Sequence, residues 1–259
     1  MSELASGLNE VTGDAESAWA LAMETSSAWG GVALGRGRQI LEARRLAQPR
    51  RHAVEFLPTV AALCETHRVR PTDIRYAYVS TGPGSFTGLR IGVAAAKALA
   101  LATGAKLVAV PSLEVIAQNA LAADPPPGRV AVVLDAKRGH VYAGLFARRQ
   151  DSYVACADPV ETDPSHLLRR FAGERAADFA VLGEGVDYHR RTMESSGVTI
   201  LPSTLYAPNV ETVYRLGVRL ATAGTFTDRR ALVPTYVRPP EAEEKWARRQ
   251  EEKRPPGPC

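Results

Sequence analysis

The sequence predicts an α/β protein of two related lobes, each a mixed sheet flanked by helices. Three observations predict it. Residues 19–110 read as three strands, a helix, a strand, a helix and a closing strand. A similar order begins again at Arg129, where VAVVLDAKRGHVYAGLFARRQDSYVA repeats the opening meander. Glu24 and Asp135 occupy equivalent strand ends in the two copies. Helices that alternate with strands must cover a mostly buried sheet, so the order points to α/β rather than to separate helical and β units.

Each element has a local cause. Residues 19–25 (WALAMET) are strand-like and end at a carboxylate, and after a small-residue turn the stretches 31–34 and 39–45 complete a meander. Residues 52–67 place Phe56, Val60 and Leu63 at helical spacing beside Ala53, Leu57 and Cys64, and Pro71 stops that helix. Residues 76–81 form a short strand, residues 88–102 an alanine-rich helix, and residues 106–110 another strand. In the second copy a short helix follows Pro164 and ends at Phe171, then come a strand at 180–182, a Gly-Glu-Gly turn at 183–185 and a helix at 209–222.

The expected organisation is a flexible extension over 1–17, a first lobe over 18–111 completed by the helix 209–222, a second lobe over 112–208, and a charged, proline-rich tail over 238–259. With 45% hydrophobic and 23% charged residues, 259 residues bury a sizeable core. No run of about 18 uncharged apolar residues and no basic-then-apolar leader occurs, so the expectation is a cytoplasmic protein without a membrane span. Cys64, Cys156 and Cys259 are widely spaced, which speaks against a disulfide framework or a thiolate metal site. The net charge of +4 favours anionic partners weakly.

The most informative stretch is residues 80–92, STGPGSFTGLRIG, between a strand and the alanine-rich helix. Gly82, Gly84 and Gly88 permit backbone angles closed to other residues, Pro83 stiffens the turn, and Ser85 or Thr87 is placed to cap the helix. Two readings stand side by side. Gly82, Gly84, Ser85, Thr87 and Gly88 offer a phosphate the free amides of a helix N-terminus, or they form a tight turn that lets helix and sheet pack closely. A Walker loop is excluded, because Lys97 lies about two and a half turns into the helix.

As a string, GPGSFTGLRIG resembles the motif of the bacterial TsaB (YeaZ) family. Other segments are similar in the same order. They are Met23-Glu24-Thr25-Ser26, the stretch HAVEFLP at 52–58, Pro111-Ser112-Leu113-Glu114, DAKRGHVY at 135–142 and PTYVRPP at 234–240. The resemblance covers about residues 19–240, and its motif residues include Glu24, Thr25, Pro83, Phe86, Arg90, Asp135 and Tyr142. It implies two actin-like, ribonuclease H-like lobes related to those of TsaD. Glu24 stands where the family has aspartate and His140 where an acidic residue is usual.

The resemblance also implies a role. TsaB-like proteins act as non-catalytic scaffold and activator for TsaD, which transfers a threonylcarbamoyl group to adenosine beside the tRNA anticodon, with TsaE joining the assembly. It implies a heterodimer with TsaD, a homodimer through the same face when TsaD is absent, tRNA met through the complex, and no cofactor on the isolated chain, ATP or ADP belonging at the junction with TsaD. The contact face is expected on the first lobe's helices, at Phe56, Leu57, Val60, Leu63, Leu89, Ile91, Ala95 and Leu99. Packing of Ala94, Ala95, Ala96, Ala98, Ala100 and Ala102 of the alanine-rich helix on their own sheet is the competing explanation.

Catalytic alternatives find little support. His52, His67, His140, His166 and His189 include no pair three or four apart, so no helix face presents two imidazoles to a metal. His52 and Glu55 lack the rest of a metalloprotease motif, and Ser85 lacks the G-x-S-x-G spacing of a nucleophile elbow. A stand-alone ATPase or phosphotransferase remains the alternative. Direct tRNA binding rests on Arg50-Arg51, Arg169-Arg170, Arg190-Arg191 and Arg229-Arg230.

Overall fold

A computed structural model of the chain describes residues 15–49, 51–171 and 179–236. The first sheet contains β1 (Trp19–Glu24), β2 (Gly31–Arg36), β3 (Gln39–Arg45), β4 (Ile74–Gly82) and β5 (Lys106–Pro111) in the order β3-β2-β1-β4-β5. The second contains β6 (Arg129–Asp135), β7 (Val141–Arg149), β8 (Ser152–Ala155), β10 (Phe179–Leu182) and β11 (Thr199–Ile200) in the order β11-β10-β6-β7-β8, with β9 (Val160–Thr162) also on β7. The duplication is explicit in the pairing. β1 runs antiparallel to β2 and parallel to β4, as β6 runs antiparallel to β7 and parallel to β10. Corresponding strands also end alike: Gly82 has φ +105° and Gly183, just beyond β10, has φ +113°.

Helix α1 (His52–Thr66) and helix α2 (Phe86–Thr103) cover one face of the first sheet. Leu21, Met23, Ala77 and Val79 point to that side. Alternate residues Ala20, Ala22, Tyr76 and Tyr78 point to the other, where helix α6 (Val210–Thr222) lies. Small Ala20 and Ala22 suit a helix that comes close, and Gly217 completes the fit, because any Cβ there would collide with the Tyr78 ring. Tyr214 meets Tyr78 edge to face at 5.5 Å and donates to the Gly37 carbonyl at 2.9 Å.

Two further helices appear in stretches to which the sequence assigns no element, α3 (Ser112–Asn119) and α5 (Gly185–Ser195), beside α4 (Pro164–Phe171). Helix α3 sits between the sheets. Its Val115 joins the first sheet's core while Leu113, Ile116 and Ala117 join the second's. Residues 15–17, expected within the extension, are packed. Ala15 is buried, Arg36 donates to the Ser17 carbonyl at 2.8 Å, and Gly37 lies against Glu16. The rest of that extension and the tail 238–259 lie outside the described residues.

By length and hydropathy alone α2 would reach across a bilayer. It carries Arg90 and Lys97, however, and packs Leu89, Gly92, Val93 and Ala96 onto the sheet.

Candidate functional site

The glycine loop is the junction of three segments. The Ser85 N–H donates to the Ser26 carbonyl at 2.6 Å, and a side chain at Gly84 or Gly88 would collide with the carbonyl of Ser26 or Thr25. The glycines therefore let α2 start directly on the turn that follows β1. Ser85 is the N-cap, accepting from the Gly88 N–H at 3.3 Å, and the left-handed Gly104 closes the far end at φ +76°. Thr87, the other capping candidate, is exposed on the first turn. The amides of Ser85 and Gly88 are thus engaged within the chain.

Residues 232–236 cross over this loop. The Thr235 N–H donates to the Thr81 carbonyl at 2.7 Å and Leu232 enters the core. Tyr236 lies 4.9 Å from the Phe86 ring, and Arg90 lies over Phe86 at 3.8 Å while donating to Tyr236 Oη at 3.0 Å. Phe86, Arg90 and Tyr236 come from two separate motif strings. The sequence contained all three residues, but nothing in their spacing revealed that they meet.

The two strand-end carboxylates differ in state. Glu24 is 1% exposed, and its Oε1 accepts from the Ser26 N–H at 2.5 Å and from Ser26 Oγ at 2.7 Å. Burial raises its carboxyl above the usual range despite these bonds, which favours the neutral form. Asp135 also meets a desolvation cost, but Lys137 outweighs it. Nζ lies 2.5 Å from Oδ2 and the Lys137 N–H donates to Oδ1 at 3.0 Å, so the carboxyl is held low. Lys137 and Arg138 adopt left-handed backbone, φ +64° and +52°, in forming that turn. Tyr142 is a core residue of β7, paired in register with Leu134.

His52 and Glu55 do not form a couple. His52 is buried at the start of α1 and donates from Nε2 to the Ser27 carbonyl at 3.0 Å, whereas Glu55 accepts from the Gln48 N–H at 3.2 Å. His140, in turn, pairs with Glu161 at 3.0 Å.

The expected contact face needs a correction. Phe56, Leu63 and Leu89 point inward and are 1%, 0% and 0% exposed, because at helical spacing they form the stripes that α1 and α2 turn to the sheet. Val60, Ile91, Ala95 and Leu99 are half-buried. The outward face belongs to Val54 and Leu57 on α1, 60% and 66% exposed, and to Leu101 on α2, 70% exposed. Ala94, Ala98 and Ala102, four residues apart, continue it along α2. The two helices touch, and each carries exposed apolar or small residues on its outward side.

Two sheets of matching order, joined by α3 and closed by α6, define an actin-like protein of two lobes. The family model described as TsaD: tRNA N6-adenosine threonylcarbamoyltransferase matches residues 40–246. The Bacillus subtilis tRNA threonylcarbamoyladenosine biosynthesis protein TsaB is 32% identical over 87% of this chain and 96% of its own length. The Escherichia coli protein of the same name is 25% identical over 73% of this chain and 82% of its own. The solved structure of YeaZ from Pseudomonas aeruginosa aligns with a TM-score of 0.72 at 25% identity, covering 85% of this chain and 100% of that one. This chain belongs to the TsaB (YeaZ) family, related to TsaD.

Proposed function

We propose that the chain takes part in threonylcarbamoyladenosine formation on tRNA as a non-catalytic subunit that docks on a TsaD-type transferase through the outer face of α1 and α2. The observation that carries this reading is that face itself. Leu57 and Leu101 are about two-thirds exposed on neighbouring helices beside a stripe of alanines that lets another helix approach closely. The relatives named for the same biosynthesis supply the process. With TsaD absent, the same face pairs two copies of this chain, and TsaE joins the heterodimer in the cytoplasm.

The strand ends support the non-catalytic part. A nucleotide-bound metal needs an ionised, available carboxylate, whereas Glu24 is buried, driven toward neutrality and bound by Ser26, and Asp135 is taken by Lys137. Reconstitution tests the proposal. Transfer to tRNA by purified TsaD, supplied with threonylcarbamoyl-adenylate, should rise when this chain is added, and the chain alone should transfer nothing and turn over no ATP. Transfer or ATP turnover by the chain alone would refute it.

A further inference from the structure

Between the lobes, on the α6 side of the first sheet, lies an open cleft of about 1300 Å³. The first lobe contributes Trp29, Arg45 and the outer edge of α6 with Arg215 and Arg219, while the second contributes the β7–β8 hairpin with Arg149 and the segment 203–208. Every cation in the lining is an arginine. The four guanidinium groups share the lining with the exposed Asp151, the half-buried Glu211 and the buried Glu24 just described, and Arg219 also interacts with Glu114 of α3.

We propose that this cleft grips a phosphodiester stretch of the tRNA directly, with Arg45, Arg149, Arg215 and Arg219 as its phosphate contacts. The proposal rests on the function argued above for its choice of nucleic acid. Four physical features support it. Arginine presents a planar fork that matches phosphate oxygens, which makes an all-arginine lining more selective than a mixed one. Arg45 is stacked on the Trp29 indole at 3.9 Å, an arrangement that uses the guanidinium plane and leaves its N–H edge for an anion. The volume exceeds that of most enclosed small-ligand pockets and the cleft is open, which suits a segment of polymer.

The fourth feature is placement. The arginines come from two lobes, and the seam between them is tied. Asn209 Nδ2 donates to Asn119 Oδ1 at 2.8 Å, Asn119 donates to the carbonyls of Leu205 and Ala207, and Arg219 donates to Ser152 Oγ at 2.8 Å. Helix α6, with Arg215 and Arg219, lies on the opposite face of the first sheet from α1 and α2.

The test uses the full chain, alone and in its TsaD complex, with tRNA binding measured over a range of salt concentrations. The double variant Arg149→Glu, Arg215→Glu should bind tRNA at least about tenfold more weakly, with a salt slope shallower by about 1–2, while the mass of the heterodimer stays that of wild type. Arg38→Glu, on the β2–β3 turn outside the cleft, should leave both affinity and slope unchanged. Unchanged tRNA affinity and slope in the double variant would overturn the proposal. So would binding of free ADP that depends on the cleft arginines while tRNA affinity does not. Measurement on the chain alone keeps this result separate from any failure to dock on TsaD.

Discussion

Arg90 lies 3.8 Å above the centre of the Phe86 ring, and its Nε donates to Tyr236 Oη at 3.0 Å. This contact joins the first turn of α2 to a segment 146 residues away in sequence. It gives the GLR and PTY motifs a common structural purpose, since the crossing segment also bonds Thr81 beside the glycine loop.

Loss of that latch is measurable as stability. Tyr236→Ala removes one charge-assisted hydrogen bond and one ring contact, about 1–2 kcal/mol together at this half-exposed position. Thermal denaturation should shift down by several degrees, and Tyr236→Phe, which keeps the ring, should shift by less. An unchanged midpoint for Tyr236→Ala would contradict the latch.

The glycines of the loop make a sharper prediction. Gly88→Ala directs a methyl group at the Thr25 carbonyl, so α2 must lift from the turn after β1, at a cost of about 1–3 kcal/mol or more. Gly104→Ala meets no atom within 4 Å but loses the left-handed cap, and should cost only about 1 kcal/mol. Urea denaturation of the two variants decides between packing and mere conformational freedom. Equal losses would show that close approach at Gly88 is not the constraint.

Glu24 fixes a pH dependence. Burial raises its folded carboxyl above the ordinary glutamate value, so the folded state keeps a proton that the unfolded chain has released. Stability at this site is therefore full below about pH 4.5 and is lost as pH rises through the folded value. Glu24→Gln, neutral throughout, should gain on the wild type as pH rises above the ordinary carboxylate range. A difference that is constant with pH, or that shrinks as pH rises, would show that Glu24 is ionised in the fold.

How far the sequence carried the reading depended on whether a contact was local. The opening meander, α1, α2 and α6 were legible from periodicity, and the duplication from the repeated order that ends strands at Glu24 and Asp135. Helices α3 and α5 were not. Helix α3 has only eight residues and faces two cores, so its apolar residues Leu113, Val115, Ile116 and Ala117 show no single amphipathic stripe. Helix α5 is mostly polar, with a kink at His189. Phe56, Leu63 and Leu89, expected on an outward face of α1 and α2, are buried instead, because the larger apolar residues of an amphipathic helix turn inward. The cleft leaves no local trace in the sequence. Arg45, Arg149, Arg215 and Arg219 are far apart in sequence and converge only through the topology.

The central claim is docking through the outward face of α1 and α2, and light scattering on the chain mixed with its cognate TsaD tests it most directly. Wild type should give the mass of a heterodimer, and Leu57→Asp and Ala98→Arg, at exposed positions, should keep the wild-type melting temperature and lose that mass. A heterodimer that persists in both variants, or a wild-type chain that ignores TsaD, would contradict the account.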